Sequence, residues 1–187
     1  MKFNLILAAD AKHGIGLKGK LPWPHNKDDM AHFRRMTKGK SDENNAVVMG
    51  CNTWFSLPRA RRPLDDRANF VLTRVPKTAA QIKKESGRDA TVVSSFDELL
   101  SELVSDSYCH LDTVWIIGGA QTYAQSLDHL AIQSVFLTEF KTEYVCDTYW
   151  SVREALMSRG IFYETKILHE DDKKTMYELK VKQRIIG

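Results

Sequence analysis

Sulfur chemistry is the first thing this chain does without. Its three cysteines, Cys51, Cys109 and Cys146, are odd in number and far apart, and no CxxC pair occurs. That pattern argues against a disulfide framework or a zinc site and favours a reduced, intracellular protein. Long apolar runs are missing as well. The N-terminal one, Phe3 to Ala9, covers seven residues and is interrupted by Asn4. It is too short for the core of a secretory signal and far short of the ~20 residues that cross a bilayer, so it reads as a buried strand. Charge of one sign is scarce too. Twenty-seven Lys and Arg face 24 Asp and Glu, a formal charge of +3, which indicates no polyanion surface and no nucleic-acid partner. No internal repeat, low-complexity tract or dividing linker interrupts the 187 residues. What is left is the expectation of a soluble, cytoplasmic protein, one domain over 1–187, with monomer as the default.

Strand-like runs are present in number: 3–9, 45–50, 69–74, 90–94, 114–119, 135–140 and 176–182. Each is short, rich in β-branched or aromatic residues, and ends near a turn or polar residue. Helix-like stretches lie at 26–38, 97–104 and 120–127, with Ser95 placed to cap the second. Alternating strands and helices predict an α/β fold with a largely parallel sheet covered on both faces. The run MYELKVK (176–182) alternates instead and suits a late antiparallel edge strand. The segments 39–44, 59–67 and 168–174 are charged and read as exposed loops.

Two strands end in glycine and run straight into a helix, VVMG50-CNTW and WIIGG119-AQTY. Such turns can aim backbone N–H groups at an anion, and two of them can hold the two phosphates of a dinucleotide. They can equally be tight turns with no ligand. Thr53 can cap the first helix or donate to a phosphate. The glycines of GIGLKG (14–19) match a dinucleotide fingerprint in spacing, but LPWP follows rather than a helix. A glycine loop beside a rigid Pro-Trp-Pro unit reads as a flap. Arg74, just past a strand end, can pair with a ribose phosphate or stand as a solvated arginine.

The stretch LPWPHNKDDMAHFRRM (21–36) carries the most chemistry. On a helix, Asp29, Phe33 and Met36 share one face, while Asp28 groups with His32 and Arg35 on the polar one. Asp28 suits the first helical turn, where negative charge meets the helix dipole. Asp29 is a carboxylate on an apolar face, which raises its pKa. It is either satisfied by nearby backbone or waiting for a ligand with donors to offer.

The segments GIG…LPWP…D…F (14–33), NAVVMG…TWFSLP (45–58), RPL..R.NFVLTR (62–74), WIIGGAQTY (115–123) and VFLTEF…CDTYW (135–150) occur in order across nearly the whole chain. Together they resemble dihydrofolate reductase, closer to its eukaryotic, monofunctional branch. The resemblance implies a central eight-stranded, mostly parallel sheet with an antiparallel C-terminal edge strand and flanking helices. It implies hydride transfer from NADPH to C6 of 7,8-dihydrofolate with protonation of N5, and sensitivity to antifolate inhibitors. On it, Asp29 would accept two hydrogen bonds from the pterin, Trp23 would hold a water near it, and Thr138 would hydrogen-bond it. Ile6, Ala8, Met30 and Phe33 would wall the pterin, with Leu64 and Ile117 farther along. Arg67 would clamp the α-carboxylate of the glutamate tail. For the cofactor, Ala8 and Ile15 would contact the nicotinamide amide through backbone groups, with Tyr123 near it, and Gly16 and Leu21 would also bind the cofactor. Gly50, Cys51, Asn52, Thr53, Gly118, Gly119, Ala120, Gln121 and Thr122 would hold the pyrophosphate region, and Thr73 and Arg74 the 2′-phosphate.

No metal, nucleophile or second acid is called for, and His13, His25, His32, His110, His129 and His169 are all expected at the surface or in loops. The chain departs from the resemblance at Cys51 and Asn52, where basic residues are usual, and at Asp66, which is expected to neutralise Arg67 in part. A reductase of another heterocycle, such as the pyrimidine reductase of riboflavin synthesis, and an idle binding module are the alternatives. Asp29, Trp23 and Arg67 together weigh against the first, and an intact Asp29 and flap against the second.

Overall fold

The computed structural model describes residues 1–87 and 89–184. In chain order its strands are β1 (Lys2–Ala9), β2 (Gly14–Gly16), β3 (Asn45–Gly50), β4 (Ala68–Leu72), β5 (Thr91–Val93), β6 (Thr113–Gly118), β7 (Ile132–Phe140), β8 (Thr148–Tyr149), β9 (Ile161–Glu170) and β10 (Lys174–Arg184). The α-helices are α1 (Lys27–Lys38), α2 (Cys51–Ser56), α3 (Pro76–Ser86), α4 (Phe96–Leu103), α5 (Ala120–His129) and α6 (Val152–Met157). Eight strands form one sheet in the order β5-β4-β3-β6-β1-β7-β10-β9, and β2 pairs with β8 apart from it. Pairings from β5 through β7 are parallel, and the last two are antiparallel.

Period-two alternation sends successive residues of each strand to opposite faces. Leu5 and Leu7 of β1, Ala46 and Val48 of β3, Ile116 of β6 and Val135 of β7 join one buried cluster with Leu99, Leu103, Leu127 and Leu156 of α4, α5 and α6. Ile6, Val47, Met49, Trp115, Ile117 and Phe136 join the other, with Phe33 and Met36 of α1, Trp54 of α2 and Ile82 of α3. Central strands therefore read as continuous apolar runs because both faces are covered. Ser95 caps α4 by accepting from the Glu98 N–H at 3.1 Å, as its position predicts.

Three features differ from the sequence reading. The strand MYELKVK lies within β10, which is antiparallel but second from the edge. The edge is β9, whose largely exposed side chains blur the alternation that marks a half-buried strand. The segment 168–174 is not one exposed loop: Leu168–Glu170 complete β9, and Lys174 opens β10 with its residue only 2% exposed. In 59–67 a short 3-10 turn forms at Arg59–Arg61, and the Arg62 and Arg67 side chains are largely buried. Arg62 pairs with Glu85 at 3.0 Å beside the Trp54 and Phe55 rings, and this partner lets it leave water.

Candidate active site

Helix α1 begins at a side-chain cap. Asn26 Oδ1 accepts from the backbone N–H of Asp29 at 3.0 Å, which fixes the first turn. Asp29 is 7% exposed. Burial pushes its carboxyl above the ordinary aspartate range, while a hydrogen bond with the Thr138 hydroxyl and the Lys174 ammonium pull the other way. Asp28, its neighbour, is exposed and faces Lys174 Nζ at 3.6 Å. The two carboxylates thus divide as the helix periodicity predicts. His32 does not follow that division. It is buried rather than on an open polar face, its Nδ1 lies 3.0 Å from Arg35 Nη2, and burial lowers its pKa.

Sheet register supplies the floor. Ala8 of β1 pairs with Thr138 of β7, and Thr138 with Met176 of β10, so these side chains share the face covered by α1. Trp23 is buried against Phe140, ring centroids 4.6 Å apart, and Phe140 stands two residues beyond Thr138 on the same face. Ile6, Ile117, Phe33 and Leu64 fall in one apolar cluster. Met30 is half-buried on the turn after Asp29.

Arg67 reaches the far end of this face. Its side chain is 3% exposed, with Nη1 donating to Thr37 Oγ1 at 2.7 Å and Nε to the Asp65 carbonyl at 2.9 Å. Desolvation is the main influence on its charge, and it lowers the pKa. Asp66 bears on Arg67 in part, through charge alone. It pairs with Lys38 at 2.7 Å, and Asp65 is the nearer acid, 3.9 Å from Arg67 Nη2. The positive φ of Asp66, 59°, turns its side chain to that other partner.

The glycine turns come together because β3 and β6 are parallel neighbours. A Cβ at Gly50 would lie 2.8 Å from Thr122 Oγ1, and one at Gly119 would lie 3.5 Å from Thr53 Oγ1. Each turn therefore packs against the helix that follows the other, a close approach that the glycine at Gly50 permits. The peptide between Gly118 and Gly119 is cis. Gly50 is the N-cap of α2 and makes no side-chain cap bond, so Thr53 does not cap that helix. Its hydroxyl remains at the junction of the two turns, while Ala120 and Gln121 open α5. Tyr123 is buried on α5, its hydroxyl donating to the Ile6 carbonyl at 2.9 Å, and desolvation raises its pKa far above the ordinary tyrosine range. Its ring stacks on Trp150.

Thr73, Arg74, Cys51 and Asn52 lie at the ends of adjacent parallel strands. Thr73 is buried just past β4 and donates its backbone N–H to the Val93 carbonyl of β5 at 2.9 Å, with exposed Arg74 next to it. Cys51 is half-buried and Asn52 exposed at the end of β3. Ile15 and Gly16, in the glycine loop, are half-buried on β2, whose Gly14 and Gly16 pair with β8, and Leu21 beyond them is 51% exposed.

Sequence reasoning missed four side chains that shape the site. Thr37 holds Arg67 and stands two helical repeats after Asp29 on the same face, a signal that was there to use. Asp65 and Lys174 sit in segments whose charge suggested open loops. Asp10, fully buried, accepts from the backbone N–H groups of Lys12, Gly14 and Tyr144 at 2.8, 2.7 and 2.8 Å, and so ties the glycine loop to the chain before β8. A carboxylate directly after an apolar strand was its only mark.

A family model described as dihydrofolate reductase matches residues 2–184. The chain is 36% identical over 152 residues to a dihydrofolate reductase of Aedes albopictus, covering 80% of this chain and 78% of that one. To the dihydrofolate reductase of Mus musculus it is 36% identical over 152 residues, 79% and 77% of the two chains. To that of Gallus gallus it is 37% identical over 153 residues, 79% and 76%.

Proposed function

The chain belongs to the dihydrofolate reductase family and reduces 7,8-dihydrofolate to 5,6,7,8-tetrahydrofolate with NADPH, and from that premise we propose how its own residues divide the work. NADPH, when bound, supplies the hydride. The protein's share is to orient the pterin, keep water out and manage one proton.

Asp29 accepts hydrogen bonds from the pterin 2-amino group and adjacent ring N–H, and as an anion it raises the basicity of N5. The observation that carries this reading is a buried carboxylate whose side-chain partner is the Thr138 hydroxyl on the sheet face that also holds Ala8. Thr138 keeps the carboxylate oriented. Trp23 positions the water that relays the proton, and Tyr123 backs the nicotinamide end. Ile6, Ala8, Met30 and Phe33 wall the pterin, and Leu64 and Ile117 continue the apolar surface toward the tail. Arg67 takes the α-carboxylate of the glutamate tail, a paired-donor task that a guanidinium performs better than an ammonium. Its contact with Thr37 holds the fork in place.

The residues present fit the dinucleotide. Gly50 and Gly119 let the two turns close on each other through Thr122 and Thr53, so the openings of α2 and α5, neither of them capped by a side chain, lie side by side with Gly118, Ala120 and Gln121 next to them. Arg74, with Thr73, meets the 2′-phosphate. Cys51 and Asn52 contribute neighbouring contacts without charge. Ala8, Ile15, Gly16 and Leu21 cover the nicotinamide. The enzyme works as a single-domain monomer in the cytoplasm and is open to antifolates that compete for Asp29. Its near-balanced charge and its cysteines, unpaired among the described residues, support that setting.

The test is loss of nicotinamide absorbance on mixing enzyme with dihydrofolate, run with NADPH and NADH and repeated with Asp29→Asn. Turnover favouring NADPH and abolished by the substitution is expected. Retained turnover in Asp29→Asn overturns the assignment of Asp29.

A further inference from the structure

Lys174 is a lysine in the interior. Its side chain is 3% exposed, yet it is the first residue of β10 and follows a run of charged residues. The register explains the burial. Lys174 pairs across the antiparallel ladder with Phe140 of β7, two residues from the Thr138–Met176 pair. Its side chain therefore stands on the same sheet face as Thr138, Phe140 and Trp23, under the first turn of α1. The ammonium lies 3.6 Å from Asp28 Oδ2 on α1 and 3.5 Å from Asp171 Oδ2 in the turn joining β9 to β10.

That turn is itself fixed. Asp171 Oδ1 accepts from the backbone N–H groups of Lys173 and Lys174, both at 2.8 Å, and its Oδ2 lies 3.1 Å from His169 Nε2. The charged and titratable groups around Asp29 are thus Asp28 beside it, Tyr123 from α5, Lys174 from β10, Asp171 from the turn and His169 behind that. Tyr123 stays neutral, Asp28 is exposed, Asp171 is partly solvated, and the buried cation is Lys174. A charge removed from water acts on a buried neighbour with little screening.

We infer that Lys174 is a positioning residue for the reductase reaction: its buried ammonium clamps the first turn of α1 to the β9–β10 turn and sets a positive charge on the sheet face where Thr138 meets Asp29. The inference rests on Asp29 serving the pterin as proposed above. It adds that the carboxylate's charge state is biased from outside the pterin pocket by the β9–β10 hairpin. Lys174 is the cation that opposes the desolvation of Asp29, so losing it favours the neutral acid.

The experiment is a carboxyl carbon NMR titration of the whole protein, with the Asp29 resonance assigned by its loss in Asp29→Asn. In Lys174→Met the Asp29 titration moves to higher pH. Lys174→Gln does the same while keeping hydrogen-bond donors for Asp28 and Asp171, and it serves where the methionine variant does not fold. Lys174→Arg restores the position of the wild-type titration. In the neutral variants kcat at the wild-type acid half-maximum falls about twofold to threefold, with KM for NADPH unchanged. An unmoved Asp29 titration in the folded neutral variants overturns the inference and leaves Lys174 a structural clamp. Turnover retained in Asp29→Asn overturns the role of Asp29 instead, so the two failures are told apart.

Discussion

At the Asp29 end of the site the carboxylate is buried, hydrogen-bonded to one hydroxyl with one cation nearby, among aromatic and aliphatic side chains. At the Arg74 end the arginine is exposed and its neighbours Cys51 and Asn52 carry no charge. On the function proposed above, both ends would meet a charged or strongly polar group, but only the first would do so out of water. A contact made in a desolvated pocket is worth several times one made at the surface. Specificity for the pterin should therefore be steep, and specificity for the cofactor's phosphate shallow.

The sharpest way to break that contrast is at the buried end. Asp29→Asn is expected to lower kcat by about a hundredfold or more at neutral pH, read by steady-state absorbance. The same variant should be more stable than its parent at neutral pH. The folded carboxyl titrates above its unfolded value, so its contribution is fully favourable below the ordinary aspartate range. It is lost as pH rises through the elevated folded value. Melting temperatures against pH should show the gain of Asp29→Asn fading in acid. A variant that instead unfolds gives Asp29 a structural role.

Arg67→Lys is next. Replacing a fork by a point charge in a buried setting should raise KM for dihydrofolate by about tenfold to a hundredfold, with kcat little changed. An equal loss with a substrate lacking the glutamate tail would detach Arg67 from that tail. Arg74→Gln, at the open end, is expected to weaken NADPH about tenfold and leave NADH as it was, measured by quenching of protein fluorescence. Equal weakening of both would remove the 2′-phosphate from its account. The smallest effect belongs to Asn52→Lys, which should tighten NADPH by roughly tenfold or less, diminishing at high salt.

Legibility in the sequence followed the same contrast. Asp29 stood out because helix periodicity sets it among Phe33 and Met36, and the central strands because their runs are apolar throughout. The glycine turns were visible as punctuation at strand ends, but their mutual packing depends on β3 and β6 being neighbours, which no local pattern states. Helix α3 escaped because among its eleven residues only Ile82 and Ser86 are buried. Strand β9 escaped because most of its side chains meet water. Lys174 and His32 were placed at the surface because charge ordinarily implies solvent, and tertiary partners overrode that implication. Cys51 and Asn52 are legible only as departures from a resemblance, since nothing in their own chemistry announces a phosphate.

The sheet order β1-β7-β10 has a consequence for synthesis. β1 and β10, the earliest and latest of the main-sheet strands in sequence order, both flank β7, on which Thr138 meets Asp29. A nascent chain stopped before β10 would carry the carboxylate, its hydroxyl partner and the glycine turns, yet one side of β7 would be an open edge. Activity would switch on late and abruptly, when the final hairpin inserts. The β9–β10 hairpin thus acts as a completeness check on β7, and complementation between a fragment ending before β9 and a separately supplied hairpin is the form in which that check can be taken apart.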